Sequence, residues 1–327
     1  MREPDIQSAQ TKSIPLSRID TTDDTFRITT QTDIDDLLAS LRHDGILNPP
    51  LVIEKTSDFT IVSGFRRIAA CKKLGREDIP VRVLHPDLSP LKCLRFAIAD
   101  NAYQRPLNLI ETSRALQKLS GYLGTDRRIA ESASILGLPS NLSIINKIKD
   151  LCLLPEIIQD GILNDAISLS MAVELKTLAP ASAIAIASLF NELKMSLNKQ
   201  REIVTLVKEI ARRDGISQQK LLEDNQLQEI INDEDCDRGQ KIRELRACLR
   251  QRRFPQIVKA EAIFEYQRKQ LNLGNDIKLI PPKDFESTTY TVNMSFSSIA
   301  QLKSLHTKLY RMIKHPGLKK IIKRKDS

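Results

Sequence analysis

Three short stretches of this 327-residue chain combine residue types that could do chemistry. The first is Ile61-Val62-Ser63-Gly64-Phe65-Arg66-Arg67-Ile68-Ala69-Ala70. Its β-rich start predicts a strand running into Gly64, with a helix beginning directly after it. The first amides of a helix have no intrahelical partner, and the helix dipole favours negative charge there. Gly64 would let a phosphate approach the backbone, and Arg66 and Arg67 would add permanently charged forks that match phosphate oxygens. Together with Ser63 and Phe65 these residues form a candidate triphosphate cradle. A tight turn followed by an ordinary surface helix fits the same residues.

The second stretch, residues 99–111, concentrates polar groups between two helical segments. Asp100 could position a metal-bound water or a ligand hydroxyl and is the candidate catalytic group, while Asn101 and Arg105 could grip phosphate. Asp100 or Asn101 would lie near any such metal, without a direct protein cage around it. Asn108 and Glu111 have the spacing of a helix cap, which is the preferred reading for that pair. The third stretch begins at Arg128. A first helix with small Ala133 should stop at Gly137, and a second, beginning near Ser140 or Asn141 and continuing through Leu142 to Leu154, should turn Ile145, Ile148 and Cys152 inward. That is the pattern of a helix-turn-helix, with a plain helical hairpin as the other reading. Ser140, Asn141, Ser143, Asn146, Lys147 and Lys149 would then face base edges or phosphates.

Around these stretches, periodicity sets the elements. Residues 14–19 predict a strand, and Ile34, Leu37, Leu38 and Leu41 recur at helical spacing ahead of Gly45. Residues 51–54 and 59–62 predict a hairpin through Lys55-Thr56-Ser57-Asp58. A helix over residues 66–74 and a strand over 79–84 complete an α+β N-terminal domain. From Leu88 to about Ala211 the signals are almost wholly helical. The acidic residues 222–237 read as a boundary or exposed linker. Residues 241–270 predict helix with a break near Pro255. Tyr290, Val292, Met294 and Phe296 alternate as in a half-buried strand, and Ile299, Leu302, Leu305, Leu309 and Met312 mark one helix face. The expected division is an α+β domain over 13–105, an all-α helix-turn-helix domain over 106–221, an acidic linker over 222–240 and a smaller, basic α+β domain over 241–327.

Composition narrows the function. Hydrophobic residues at 41% and charged residues at 28% support buried cores. Aromatics at 4%, with no Trp, leave little for a base-stacking platform. The five cysteines are scattered with no Cys-x-x-Cys, and the four histidines include no His-Glu-x-x-His, which argues against a disulfide framework or a zinc site. No apolar run approaches the ~20 residues that span a bilayer, and the polar start lacks a secretory pattern, so a cytoplasmic protein is expected. Residues 1–120 hold 17 Lys/Arg against 16 Asp/Glu, residues 121–240 hold 13 against 18, and residues 241–327 hold 20 against 7. The whole positive excess thus sits at the end, which points to a polyanion, nucleic acid first. Lys319, Lys320, Lys323, Arg324 and Lys325 are the expected phosphate binders.

Taken in order, these segments resemble the ParB family of DNA-segregation proteins. The stretch from Ser63 to Ala70 is similar to the family's Gly-Glu-Arg-Arg box. Asp100-Asn101 through Leu107-Asn108-Leu109-Ile110-Glu111 is similar to its Glu-Asn…Arg…Leu-Asn-Pro-Ile-Glu box. Asp150-Leu151-Cys152-Leu153-Leu154-Pro155 and Ile167-Ser168-Leu169-Ser170-Met171-Ala172 resemble its Leu-Leu-x-Leu-Pro and Ile-Ser-x-x-His-Ala stretches. The resemblance covers about residues 13–180. It implies a ParB/sulfiredoxin-like N-terminal fold and a nucleoid-associated homodimer that loads at an inverted repeat in double-stranded DNA. It further implies closure by CTP with magnesium, reopening by slow hydrolysis, and movement by a ParA-like partition ATPase.

Departures from the pattern bear on that implication. Phe65 replaces the Glu of the first box, Asp100 replaces a Glu that reaches one methylene further, and Gln104 falls where an ungapped match places the family arginine. The family's Pro-x-Gln-Pro-Arg segment is represented only by Asp24-Thr25-Phe26-Arg27, and Met171 stands where His is frequent. Phosphate binding through Gly64, Arg66 and Arg67 is therefore carried over better than hydrolysis. Two other readings use the same residues: a helix-turn-helix transcription regulator without nucleotide response, and a small-molecule kinase on the same fold with Asp100 as base. A sulfiredoxin-like reductase would need a Cys in the phosphate box, and Cys71 lies a full turn or more down the helix.

Overall fold

In the computed structural model, which describes residues 9–322, the chain divides into two compact units, Met1–Leu197 and Asn198–Ser327. The first unit opens with β1 (Gln10–Pro15), β2 (Ile19–Asp20), α1 (Asp35–His43), β3 (Leu51–Lys55), β4 (Asp58–Ser63), α2 (Phe65–Lys73) and β5 (Asp78–Leu84). The strands lie in the order β1-β5-β3-β4-β2. The predicted hairpin is the antiparallel β3–β4 pair; β1–β5 is also antiparallel, whereas β3–β5 and β2–β4 are parallel. The β-branched positions Val52, Ile61, Ile79 and Val81 bury one sheet face against Leu38 and Leu41 of α1 and Ile68 and Ala70 of α2. The single strand expected over residues 14–19 is instead two strands. Pro15, which cannot donate to a ladder, ends β1, and Leu16–Arg18 coil into a 3-10 turn with the Leu16 amide on Glu77 O at 2.8 Å.

A helical portion follows: α3 (Pro90–Ala102), α4 (Leu109–Leu123), α5 (Asp126–Ile135), α6 (Leu142–Ile148), α7 (Glu156–Leu163), α8 (Leu169–Leu175) and α9 (Pro180–Leu193). Helices α4, α5 and α6 pack on one another around Leu116, Ile129, Ala133 and Ile145. The first of the two expected helices ends as predicted, with Gly137 in the left-handed region at φ +70° and the Leu138 amide returning to Ala133 O at 2.9 Å. The second starts at Leu142, just after Asn141, and ends at Ile148, well short of Leu154. The buried Ser113 of α4 donates its hydroxyl to Lys149 O at 3.1 Å and accepts the Cys152 amide at 2.9 Å. The chain is thereby drawn out of the helix into a 3-10 turn, Leu151–Leu153, and Cys152 is only half-buried.

The second unit holds α10 (Leu197–Asp214), α11 (Gln218–Leu222), α12 (Asn225–Asn232), α13 (Arg238–Arg253), α14 (Pro255–Gln270), β6 (Ile277–Ile280), β7 (Thr291–Met294), α15 (Ile299–Lys314) and α16 (Pro316–Ile322). The structure places the division after Leu197, not at residue 221, because α10 is tied to α13. Glu202 pairs with Arg246 at 2.6 Å, Glu209 with Arg253 at 2.7 Å, and Asp214 with Arg252 at 3.7 Å. Nor is the acidic stretch over 222–240 a linker. Leu227 and Ile231 are the buried face of α12, which packs on α13; Asp224 takes Arg252 at 3.1 Å, and Asp237 caps α13 by accepting the Gln240 amide at 2.8 Å.

A separate core gathers Phe264, Ile277, Leu279, Leu305, Met312 and Ile321, with Phe264 edge-on to Phe285 at 5.9 Å and stacked on Tyr290 at 6.2 Å. The apolar alternation expected around β7 is only half realised. Tyr290 and Val292 pack against this core, but Met294 and Phe296 are exposed, since the β6–β7 ladder ends at the Ile277–Met294 pair. Likewise Leu305, Leu309 and Met312 reach the core, whereas Ile299 and Leu302, in the first turn of α15, are exposed.

A folded α12 has a measurable consequence. Leu227→Ala should lower the stability of the second unit by about 2–5 kcal/mol in chemical denaturation. A solvated linker side chain would change it by no more than about 0.5 kcal/mol.

Candidate functional site

Gly64 closes β4 and caps α2 at φ +96°, and a Cβ placed there would lie 2.9 Å from Cβ of Pro50. Backbone conformation and space therefore both demand glycine. The first intrahelical bond runs from the Ile68 amide to Gly64 O at 3.1 Å, so the amides of Phe65, Arg66 and Arg67 have no partner within the helix. These residues line a cavity of 290 Å³ together with Ser63, Gly64, Asp100, Asn101 and Arg105, so that the first two sequence stretches meet in one place. Ile28, Thr29, Gln31, Leu37 and Gln104 complete the lining. Sequence reasoning missed all five as cavity residues; only Gln104 carried a signal, standing one helical turn beyond Asp100.

The charged groups differ in how far they are committed. Arg66 gives Nε to Asp33 O at 2.7 Å and Nη1 to Gln31 Oε1 at 3.0 Å, and has no carboxylate partner among the described residues. Arg67 donates to Asn48 O and stands 3.5 Å from Asp100. Burial pulls the Arg67 guanidinium below its ordinary value and Asp100 partly restores it; an arginine remains charged under such conditions. Asp100 accepts the Ser63 hydroxyl and the Gln104 amide, the latter at 3.0 Å. Asn101 turns its Nδ2 back onto Ala97 O at 2.7 Å.

Arg105 departs from expectation. Instead of presenting its fork to the cavity, it gives Nη1 to Glu111 Oε2 and Nη2 to Glu111 Oε1, each at 2.7 Å. The capping box expected of Asn108 and Glu111 is present. Yet Glu111 does more than cap. Its fully buried carboxylate also accepts the Thr30 amide at 2.9 Å and the Thr29 hydroxyl at 3.2 Å. Further along the same face of α4, Arg114 donates to Thr29 O at 2.9 Å, and Lys118 to Asp24 O at 2.9 Å and Thr25 O at 2.8 Å. Three residues of α4 thus hold the segment from Asp24 to Thr30, whose Ile28 and Thr29 wall the cavity. Burial raises the Glu111 carboxyl, but the Arg105 fork and the amides of Thr30 and Asn108 outweigh it and hold the group below the usual carboxylate range.

Ser140, just before α6, and Ser143, Asn146 and Lys147 on it are exposed as expected, and Asn141 caps the helix by accepting the Ile144 amide at 3.2 Å. Lys149 is different: it is half-buried, with its ammonium 3.7 Å from Asp126 at the start of α5. In the second unit Lys319 and Lys320 are exposed on α16, while Lys323, Arg324 and Lys325 lie outside the described residues. Cys71 is fully buried, and burial pushes its thiol up, so it offers no reactive thiolate to the cradle. Among the described residues no three His, Cys, Asp or Glu side chains cluster to hold a metal, and no helix is long and apolar enough to cross a membrane.

Residues 2–102 match the ParB N-terminal domain family. A probable plasmid-partitioning protein ParB of Thermus thermophilus is 28% identical over 208 residues, covering 54% of this chain and 68% of that protein. The N-terminal domain of the chain is similar to that of ParB proteins. The chromosome-partitioning protein ParB of Caulobacter vibrioides is 28% identical over 133 residues, which cover 36% of this chain and only 42% of that relative. A crystal structure of C-terminally truncated ParB from Caulobacter crescentus complexed with CTP-gamma-S aligns with 24% identity and a TM-score of 0.27, covering 56% of this chain and 99% of that one. The ParB-like α+β domain is followed by a mostly helical remainder.

The Glu111 hub predicts an acid sensitivity. Its lowered carboxyl stabilises the fold fully above the unfolded value of about 4.3 and ceases to do so as pH falls through the lower folded value. Glu111→Gln should cost about 2–3 kcal/mol at pH 7 in urea denaturation and should flatten the loss of stability below about pH 4.

Proposed function

We propose that this protein loads on a specific duplex DNA site through α4–α6, and that CTP with magnesium at the α2 cradle governs how two copies close around that DNA. The observation that carries the reading is the grip of α4 on the cavity wall. Glu111, Arg114 and Lys118 hold the segment that lines the pocket, while the same helix packs on α5 and α6. A ligand in the cavity and a duplex on α6 would then act on one connected body, as coupling between sites requires. The partitioning roles named for the Thermus and Caulobacter relatives support a role in chromosome or plasmid segregation.

The residues present suit a nucleotide triphosphate. Arg66 carries a charge unpaired by any described carboxylate, three helix-start amides flank it, and Gly64 leaves no side chain in the way. Magnesium commonly binds through one or two carboxylates with phosphates and water supplying the rest, so Asp100 alone suffices on the protein side. When bound, the nucleotide supplies concentrated negative charge that Arg66 and Arg67 hold in place. Arg105 could join them only by exchanging Glu111 for phosphate, which would loosen the strap over residues 24–30. Because Asp100 is engaged by Ser63, Arg67 and Gln104, binding is expected to outlast turnover, and any CTP hydrolysis would be slow.

In the second unit, Met294, Phe296, Ile299 and Leu302 form an exposed apolar strip around an edge strand, suited to a second copy of the chain. Lys319 and Lys320 would add sequence-independent phosphate contacts. A ParA-like ATPase is the proposed partner that moves the complex, in a nucleoid-associated cytoplasmic setting.

Calorimetric titration with each nucleoside triphosphate and magnesium tests the gate. CTP should bind, and Arg66→Ala should weaken it about ten-fold or more while leaving specific DNA affinity within about two-fold. Heat from no nucleotide would favour a transcription regulator without nucleotide response. Gly64→Ser is a poor probe, because strain against Pro50 would disturb the turn with or without ligand. For DNA, replacing both Lys319 and Lys320 by Ala should reduce the slope of log affinity against log salt by about two; an unchanged slope would exclude them as phosphate contacts.

A further inference from the structure

The outward side of α6 is not wholly polar. Leu142 and Ile144 are 45% and 42% exposed, although the helix already buries Ile145 and Ile148. At about 100° per residue these two positions flank Ser143, Asn146 and Lys147 on either side of the outward stripe. Both lie in the first turn, which Asn141 holds in place by capping the Ile144 amide. Scattered exposed aliphatics need no explanation, but a pair bracketing hydrogen-bonding side chains at the start of one short helix presents a mixed surface. Helix α6 carries Lys147 and no carboxylate, so its charge suits a polyanion. In the DNA major groove the apolar feature on a base edge is the thymine C5-methyl, and the first residues of a recognition helix are those that meet base edges.

We infer that Leu142 and Ile144 read thymine methyl groups and, with Asn146 placed to accept and donate to adenine, give this protein a preference for A·T pairs under the first turn of α6. The inference rests on the reading of α6 as the groove-entering helix and adds the base chemistry that it selects. Burial of one methyl is worth about 0.8 kcal/mol, so each contact contributes about a four-fold difference in affinity.

The experiment uses the full chain. A preferred duplex is enriched from a random-sequence pool, then compared with the same duplex carrying deoxyuridine for thymidine, which pairs identically but lacks the methyl. Wild-type protein should bind the uracil duplex about four-fold or more weakly. Leu142→Ser and Ile144→Ser should weaken binding to the thymine duplex, be less affected by the uracil exchange than wild type, and melt at an unchanged temperature. Equal wild-type affinity for both duplexes would overturn the inference, as would variants that remain fully sensitive to uracil. In either case the reading of α6 itself stands if Asn146→Ala loses the preferred sequence. If the pool yields no preferred duplex, that reading falls and the inference goes with it.

Discussion

A single buried carboxylate organises the first unit. Removing Glu111 from water would cost several kcal/mol if its oxygens were left bare. Compensation comes from three parts of the chain: the Thr29 and Thr30 groups, the Arg105 fork and the Asn108 amide. None of these can move far without leaving a charge unsatisfied. The cavity wall, the loop between α3 and α4 and the start of α4 are therefore held in one arrangement by one interaction set. Any ligand that competes for Arg105 would weaken that set at its strongest contact, the two-pronged ion pair. A small event in the cavity then has a physical route to the helices that follow.

The cradle itself separates architecture from affinity. Glycine at position 64 is required by its left-handed backbone and by Pro50, whether or not an anion ever binds. What favours an anion is the imbalance nearby. Arg66 is held by neutral acceptors only, whereas Arg67 is shared with Asp100 and Arg105 is spent on Glu111. Of three arginines gathered from the sequence, one is ready as it stands, one is half committed and one must be released. That gradation, more than the count of positive residues, sets how strongly phosphate would be drawn in and what it would disturb on arrival.

Local signals are legible in this sequence, and distant partners are not. The β3–β4 hairpin, the strand–glycine–helix passage at Gly64, the stop at Gly137 and the break at Pro255 depend on neighbours within a few residues, so pattern and turn chemistry sufficed. The early end of α6 depends on Ser113, more than thirty residues upstream, and no periodicity within residues 142–154 encodes it. The pairing of Arg105 with Glu111 has a local trace, since the two stand six residues apart around a cap, but the spacing of a cap does not encode the burial of its carboxylate. The acidic stretch misled for a related reason: a high density of carboxylates looks solvated until their arginine partners on another helix are known.

Those partners also change what the net charge means. The excess of the last quarter of the chain is not evenly available, because Arg246, Arg250, Arg252, Arg253 and Arg268 of α13 and α14 each take a carboxylate within the second unit. On α15 and α16, Lys303, Arg311, Lys319 and Lys320 have no such partner among the described residues. The paired residues of α13 and α14 are all arginines, which fits the chemistry of that side chain. A guanidinium fork satisfies a carboxylate with two directed bonds and suits helix-to-helix fastening, whereas an ammonium on a flexible stem remains hydrated and responds to a diffuse field. The arginines of α13 and α14 hold their unit together, while Lys303, Arg311, Lys319 and Lys320 keep positive charge that no described carboxylate takes, a field of the sign that favours a polyanion.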